Sequence, residues 1–430
     1  MQHPTPLTAH AVSRSRSASL FPFALIVALF FLWGMANNLN DILIAQFKKA
    51  FVLSDFQAGL VQSAFYLGYF LLALPAGMFM RRFGYKSAVV LGLLLYSCGA
   101  FLFWPAAQLH TYGLFLLALF VIASGLAFLE TSANPFVTVL GSSANAAQRL
   151  NLAQAFNPLG SITGVIIGQH FIFSGVEHTP QEIAAMSGAE HTAWLTSESA
   201  AVQWPYLIIG LVVLGWAVLI LATRFPRTAG DAVATDHSAG LFHSLRRNRR
   251  FTLAIVAQFF YVGAQVGIWS YLIRYVQASL PGTPAKMAAN FLTASLVIFM
   301  IGRFAGTALM RKVSPTRLLA GFAVINVILC SVAIIAPGYT GACALVASSF
   351  FMSIMFPTIF AVGIEGLDDA QRKLGSALIV MAIIGGAVLT AIMGATSDAA
   401  GAIHAAMAVP LLCFAVVFGF AVYANRRPAS

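Results

Sequence analysis

The run Phe31-Leu32-Trp33-Gly34-Met35-Ala36-Asn37-Asn38-Leu39-Asn40-Asp41-Ile42-Leu43 lies inside a longer apolar stretch, residues 22–47. A helix needs roughly 20 mostly apolar residues to cross about 30 Å of hydrocarbon, and this stretch supplies them. Its polar residues are not scattered. At about 100° per residue, Trp33, Asn37, Asn40 and Asp41 gather on one face, with Asn38 at its border. Lipid cannot solvate amides and a carboxylate, so such a face turns toward protein or a water-filled cavity. The stretch predicts a membrane-spanning helix with a polar face along a pathway.

Outward from this span, comparable runs follow near 57–79, 87–108, 112–138, 149–173 and 204–223, then near 252–277, 288–310, 317–336, 341–363, 374–397 and 403–424. Strand-like alternation is absent, which excludes a β-barrel. Of the 430 residues, 60% are hydrophobic and 9% charged. A soluble domain carries roughly 25% charged residues and could not hide this much apolar surface. The expected fold class is an all-α membrane protein with 12 transmembrane helices in two six-helix halves. Its parts are a tail at 1–21, a first half at 22–223, a linker at 224–250, a second half at 251–425 and a tail at 426–430.

The net charge of +11 raises the question of nucleic acid, and the placement of the cations answers it. Nineteen of the 24 Lys and Arg residues fall at one end of the bundle. Lys48, Lys49, Arg274 and Lys286 fall at the other, and Arg303 lies within the eighth span. This positive-inside bias puts both termini in the cytoplasm and explains the basic balance without a nucleic-acid partner. Residues 174–203 hold four Glu and no Lys or Arg, which suits an external loop. The basic run Arg246-Arg247-Asn248-Arg249-Arg250 ends the linker and reads as a topology anchor at the lipid surface. No cleavable signal peptide is evident in residues 1–20. Cys98, Cys330, Cys343 and Cys413 lie in apolar runs without C-x-x-C spacing, so neither metal nor disulfide is expected. No P-loop and no nucleophile constellation occurs; no cofactor and no enzymatic activity are expected.

The halves repeat. Asn134-Pro135-Phe136 with Gly141 parallels Phe356-Pro357-Thr358 with Gly363, and Arg149-Leu150 parallels Lys373-Leu374. Equivalent landmarks lie about 220–230 residues apart. Parallel duplication of six helices is a transporter architecture that places the substrate at midplane between the halves.

Of the 13 acids, only Asp41 and Glu130 sit well inside spans. A charge at the bilayer centre costs roughly 3 kcal/mol even on lenient scales, so both are functional candidates. Glu130, Asn134 and Thr138 step by four along one face, as do Tyr261, Gln265 and Trp269. Asn151, Gln154, Asn157 and Ser161 share a stripe in the fifth span, where Asn157-Pro158 can open the backbone. Asn290 opens the eighth span. Neutral amides and aromatics around two acids suit an uncharged polyhydroxylated substrate, whose hydroxyls pair with amides and carboxylates and whose C–H faces stack on rings. A phosphate ester or amino acid calls for span-internal cations, and Arg303 is the only one. Residue pattern alone does not separate the roles of the two acids.

The stretch 31–43 closely resembles helix one of the fucose/galactose/glucose–proton symporter branch of the major facilitator superfamily. So do Leu129-Glu130-Thr131-Ser132-Ala133-Asn134-Pro135-Phe136, Arg149-Leu150-Asn151-Leu152-Ala153-Gln154, and Tyr261-Val262-Gly263-Ala264-Gln265 followed by Trp269-Ser270-Tyr271. The likeness runs over all twelve spans. It implies proton-coupled symport of L-fucose or a closely related hexose by alternating access, in a bacterial inner membrane, by a monomer. It further implies that Asp41 couples the proton and Glu130 recognises the sugar, with Gln154 and Asn157 lining the cavity. Trp33, Asn37, Asn38, Asn134, Tyr261, Gln265, Trp269, Asn290 and Phe356 complete the expected sugar site. The resemblance departs in the tenth span, where the family has Gln-Tyr-Pro and this chain has Met355-Phe356-Pro357. Alternatives on the same fold are sodium-coupled or facilitative glucose/galactose transport. A non-transporting sensor is not expected, because only short tails flank the spans.

Overall fold

A computed structural model describes residues 21–36, 55–167, 185–225 and 238–426, with Leu43, Phe47, Phe51 and Glu182 in addition. Asn37, Asn38, Asn40 and Asp41 lie outside the described residues. Among the described residues, nine helical stretches are long and apolar enough to cross a membrane. The first, Ala64–Gln108, contains the second and third spans, and the described parts of the first and fifth spans supply two more.

In chain order, α1 is Phe21–Ala36, α2 is 55–83 and α3 is 85–108. Gly84, at φ 83° and ψ 172°, turns the chain between α2 and α3; only glycine adopts that backbone freely. Helix α4 is Tyr112–Val139, α5 Ala146–Gln154 and α6 Phe156–Ile167. Then come α7 Gly188–Ala200, α8 Gln203–Ala222, α9 Ser238–Arg247 and α10 Arg249–Ser279. The second half continues with α11 Ala285–Leu309, α12 Pro315–Ile335, α13 Tyr339–Met352 and α14 Met355–Gly363. It ends with α15 Asp369–Met381, α16 Gly385–Ala400 and α17 Ala408–Arg426.

The segment expected as an external loop therefore carries a helix, α7. Ser187 caps it and Glu190 bonds back to the Ser187 amide, so each end of this capping box satisfies a donor that the first turn leaves open.

Two spans break where a proline sits four residues beyond a carbonyl. The fifth breaks at Ala155, ahead of Pro158, into α5 and α6; the tenth breaks at residues 353–354, ahead of Pro357, into α13 and α14. Proline lacks the N–H that would bond to residue i−4. The carbonyls of Gln154 and Ser353 are thereby left for other donors. Broken helices persist in a membrane only where protein or water satisfies the freed groups.

Glycines set the closest crossings, and the two halves use them alike. A side chain at Gly34 of α1 would collide with the Asn157 carbonyl, and one at Gly160 of α6 with the Phe31 carbonyl. In the second half, a side chain at Gly263 would strike Leu389, and one at Gly385 the Phe259 carbonyl. Small residues let helix backbones approach in lipid, where dispersion and polar contacts rather than hydrophobic expulsion drive packing.

Candidate functional site

Helix α4 delivers Glu130, Asn134 and Thr138 on one buried face, as the i, i+4, i+8 spacing predicts. Asn134 Nδ2 donates to the Glu130 carbonyl at 2.9 Å, and its Oδ1 accepts from Gln154 Nε2 at 2.9 Å. Gln154 in turn meets Arg303. The guanidinium Nη1 donates to the Gln154 carbonyl at 2.5 Å and to Gln154 Oε1 at 3.2 Å, while Nε donates to the Ser353 carbonyl at 2.9 Å. Arg303 is only 5% exposed, and its guanidinium lies 4.8 Å from the Phe299 ring centroid. Its two backbone acceptors are the carbonyls freed by Pro158 and Pro357, one in each half. A buried cation here is held by oriented carbonyl dipoles and a ring face.

The second half forms an aromatic wall. The buried Tyr261 donates its hydroxyl to the Met352 carbonyl at 3.1 Å and meets the Phe356 ring edge-on at 6.4 Å. Trp269 Nε1 donates to Ser349 Oγ at 3.1 Å, and its ring stands edge-on to Phe299 at 5.0 Å. The Ser349 hydroxyl bonds that of Ser295. Gln265 is half-buried on the Tyr261–Trp269 helix. Phe356 contributes a buried ring with no hydroxyl. Asn290 stands apart: it is exposed, and 13 residues from Arg303 along α11 amounts to about 20 Å.

In the first half, Asn157 Nδ2 donates to the Phe30 carbonyl at 3.2 Å and so ties α6 to α1. The buried Trp33 Nε1, Tyr69 hydroxyl and Glu130 Oε2 have no hydrogen-bond partner among the described residues. Asp41, Asn37 and Asn38, the remaining sequence candidates, lie outside the described residues.

Sequence reasoning missed three participants. Arg303 carried a signal, as the only cation inside a span, but not its partners. Ser353 contributes a backbone carbonyl, legible only as the residue four before Pro357. Tyr69 gives no pattern signal, because one hydroxyl in an apolar run is ordinary.

Further contacts between the halves lie toward the basic end. Asn151 Nδ2 donates to Thr358 Oγ1 at 3.1 Å, and Gln148 Nε2 to the Thr307 carbonyl at 3.3 Å. Tyr85 donates to Asp369 Oδ1 at 3.0 Å, and Asp369 also pairs with the buried Lys373 at 2.7 Å. Past these tiers opens a cleft of about 1170 Å³, whose lining includes Thr138, Arg250, Arg317, Glu365 and Arg372.

The Major Facilitator Superfamily model matches residues 23–382. This chain belongs to the major facilitator superfamily. It is 50% identical over 412 residues to the L-fucose-proton symporter of Escherichia coli (strain K12), covering 95% of this chain and 94% of that protein. It is 35% identical over 425 residues to the glucose/galactose transporter of Brucella abortus biovar 1 (strain 9-941), covering 98% of each. A crystal structure of the facilitator FucP in the outward conformation superposes with a TM-score of 0.88 at 48% identity, over 95% of this chain and 99% of that one. As a major facilitator with this architecture, the chain is a multi-pass inner-membrane transporter and not an enzyme. The twelve-span, two-half arrangement expected from the hydropathy pattern is that of the superfamily.

Proposed function

We propose that this facilitator is a proton-coupled symporter of L-fucose or a closely related hexose. The observation that carries this reading is the buried Glu130 carboxylate. It shares a buried helix face with Asn134 and Thr138 and has one oxygen unpartnered among the described residues, in a chain half identical to an L-fucose-proton symporter. Such a face suits hydroxyls, and Glu130 can accept from a sugar hydroxyl. Asp41, isolated in the amide-rich first span, takes the proton. Trp33, Asn37, Asn38, Gln265, Trp269 and Phe356 line the sugar, with Asn134, Gln154, Asn157 and Tyr261 framing it.

With both termini in the cytoplasm, the basic end is the cytoplasmic face. The Arg303, Asn151 and Tyr85 tiers then close the inner side, and the sugar loads from outside. Rocking of residues 22–223 against 251–425, acting as a monomer, opens the other side. One charge crossing about 100 mV supplies ~2.3 kcal/mol, enough for roughly fiftyfold accumulation.

The test is uptake of labelled L-fucose, D-arabinose, L-galactose, D-galactose and D-glucose in a transport-null host, with external pH recorded. L-fucose uptake accompanied by alkalinisation is expected. Uptake of none of the five sinks the substrate assignment, and uptake that needs sodium at fixed pH sinks the proton assignment.

A further inference from the structure

Hydrogen bonds separate the buried polar groups around Glu130 and Arg303 into two sets. Gln154 spends its Oε1 on Arg303 and its Nε2 on Asn134. Asn134 spends its Nδ2 on the Glu130 carbonyl. Tyr261 and Trp269 donate to Met352 and Ser349. These groups hold helices in place. The second set, unpartnered among the described residues, includes Trp33 Nε1, Tyr69 hydroxyl and Glu130 Oε2, and in the same half also the Tyr96 and Thr131 hydroxyls.

Trp33, Tyr69 and Glu130 belong together. Tyr69 lies in the field of the Glu130 carboxylate, and its hydroxyl sits beside the Trp33 indole without the geometry of a hydrogen bond. They come from three helices of the first half: Trp33 is 9% exposed on α1, Tyr69 6% on α2 and Glu130 1% on α4. Tyr69 also borders a cavity of about 160 Å³ between the halves, bounded otherwise by Tyr66 and apolar side chains. An unpaired buried polar atom costs free energy that native proteins seldom leave uncompensated. One N–H donor, one hydroxyl and one carboxylate oxygen form a set that adjacent hydroxyls of a hexose satisfy at once.

We infer that Tyr69 is a sugar-recognition residue, its hydroxyl engaging the substrate alongside the Trp33 indole N–H and the Glu130 carboxylate. This inference rests on the sugar-transport reading above. Among the described residues the three groups are desolvated and unpaired. The sugar completes them, so specificity for that hydroxyl resides in three helices of one half.

The experiment uses the full chain, purified and reconstituted, with labelled L-fucose as probe and singly deoxygenated L-fucose analogues as competitors. Tyr69→Phe removes one oxygen. It is expected to raise the half-saturating L-fucose concentration five- to twentyfold with the maximal rate within twofold. One analogue, lacking the hydroxyl that Tyr69 meets, is expected to compete equally well in both proteins. An unchanged half-saturating concentration overturns the assignment, as does an equal loss for L-fucose and every analogue. Melting of the sugar-free protein is the second measurement. Deleting an unpaired hydroxyl leaves the melting temperature unchanged or higher; a drop means that the hydroxyl holds helices together, and overturns the assignment. Absence of uptake of all five sugars of the panel above by the unaltered chain removes the sugar-transport reading itself. Normal uptake with an unaffected Tyr69→Phe removes only the role of Tyr69.

Discussion

Arg303 in α11 and Gln154 in α5 bond across the two halves of the protein, and they do so because Pro158 leaves the Gln154 carbonyl without its helical donor. Pro357 does the same for the Ser353 carbonyl, which receives the other side of the guanidinium at 2.9 Å. One cation thus reads two broken helices at once. Rocking the halves apart at this end has to break the Gln154 bonds while keeping the Ser353 bond, since Arg303 and Ser353 lie in the same half.

Arg303→Ala is expected to loosen closure at the basic end. Deleting the guanidinium leaves three carbonyl oxygens desolvated, at a cost of about 2–4 kcal/mol for a charged hydrogen-bonding group. Maximal transport rate should fall at least tenfold. A Thr138→Cys reporter in a background lacking the native cysteines should react faster with maleimide from the basic side. Unchanged labelling and unchanged rate would remove Arg303 from the closure.

Pro158→Ala restores an N–H that competes with Arg303 for the Gln154 carbonyl. The helix gains about one hydrogen bond, roughly 1 kcal/mol, so folding should be preserved. Transport should slow about tenfold, because the cross-half bond weakens. Pro357→Ala is expected to act indirectly, by competing for the Ser353 carbonyl that orients Arg303 within its own half. Uptake rate and detergent melting temperature, measured on the same preparations, separate the two effects.

The two acids should part company under isosteric substitution. Glu130→Gln keeps shape but removes the carboxylate, and should raise the half-saturating sugar concentration at least tenfold. Asp41→Asn should abolish uphill uptake while sugar exchange across the membrane continues. If Asp41→Asn still accumulates sugar, proton coupling belongs elsewhere.

Gly160→Val should cost stability, whatever the substrate. A side chain there meets the Phe31 carbonyl of α1, and overpacking of this kind costs about 1–3 kcal/mol. The melting temperature is expected to drop by several degrees. Gly215→Val makes a control, since nothing lies within 4 Å of the space that its side chain would fill.

The spans, their duplication and the buried α4 face of Glu130, Asn134 and Thr138 were legible in the chain itself. Each is written in local pattern: run length measured against bilayer thickness, 100° periodicity, and an acid where hydrocarbon should be. The opening of the fifth span ahead of Pro158 was legible too, whereas the break at residues 353–354 ahead of Pro357 was not, because Pro135 shows that a span can also carry a proline unbroken. What tertiary structure alone decided is which polar groups are spent. Gln154 reads as a free sugar-facing amide from its stripe, yet both ends of its side chain are engaged by Arg303 and Asn134. Arg303 reads as a lone cation, yet its acceptors lie 149 and 50 residues away in sequence. Tyr69 reads as one more apolar-run tyrosine, yet its hydroxyl ends unpartnered among the described residues, in the field of Glu130. The physical reason is common to all three. Hydrogen-bond partners across a bundle depend on how each helix is rotated and how deep it sits, which packing sets and no local pattern encodes.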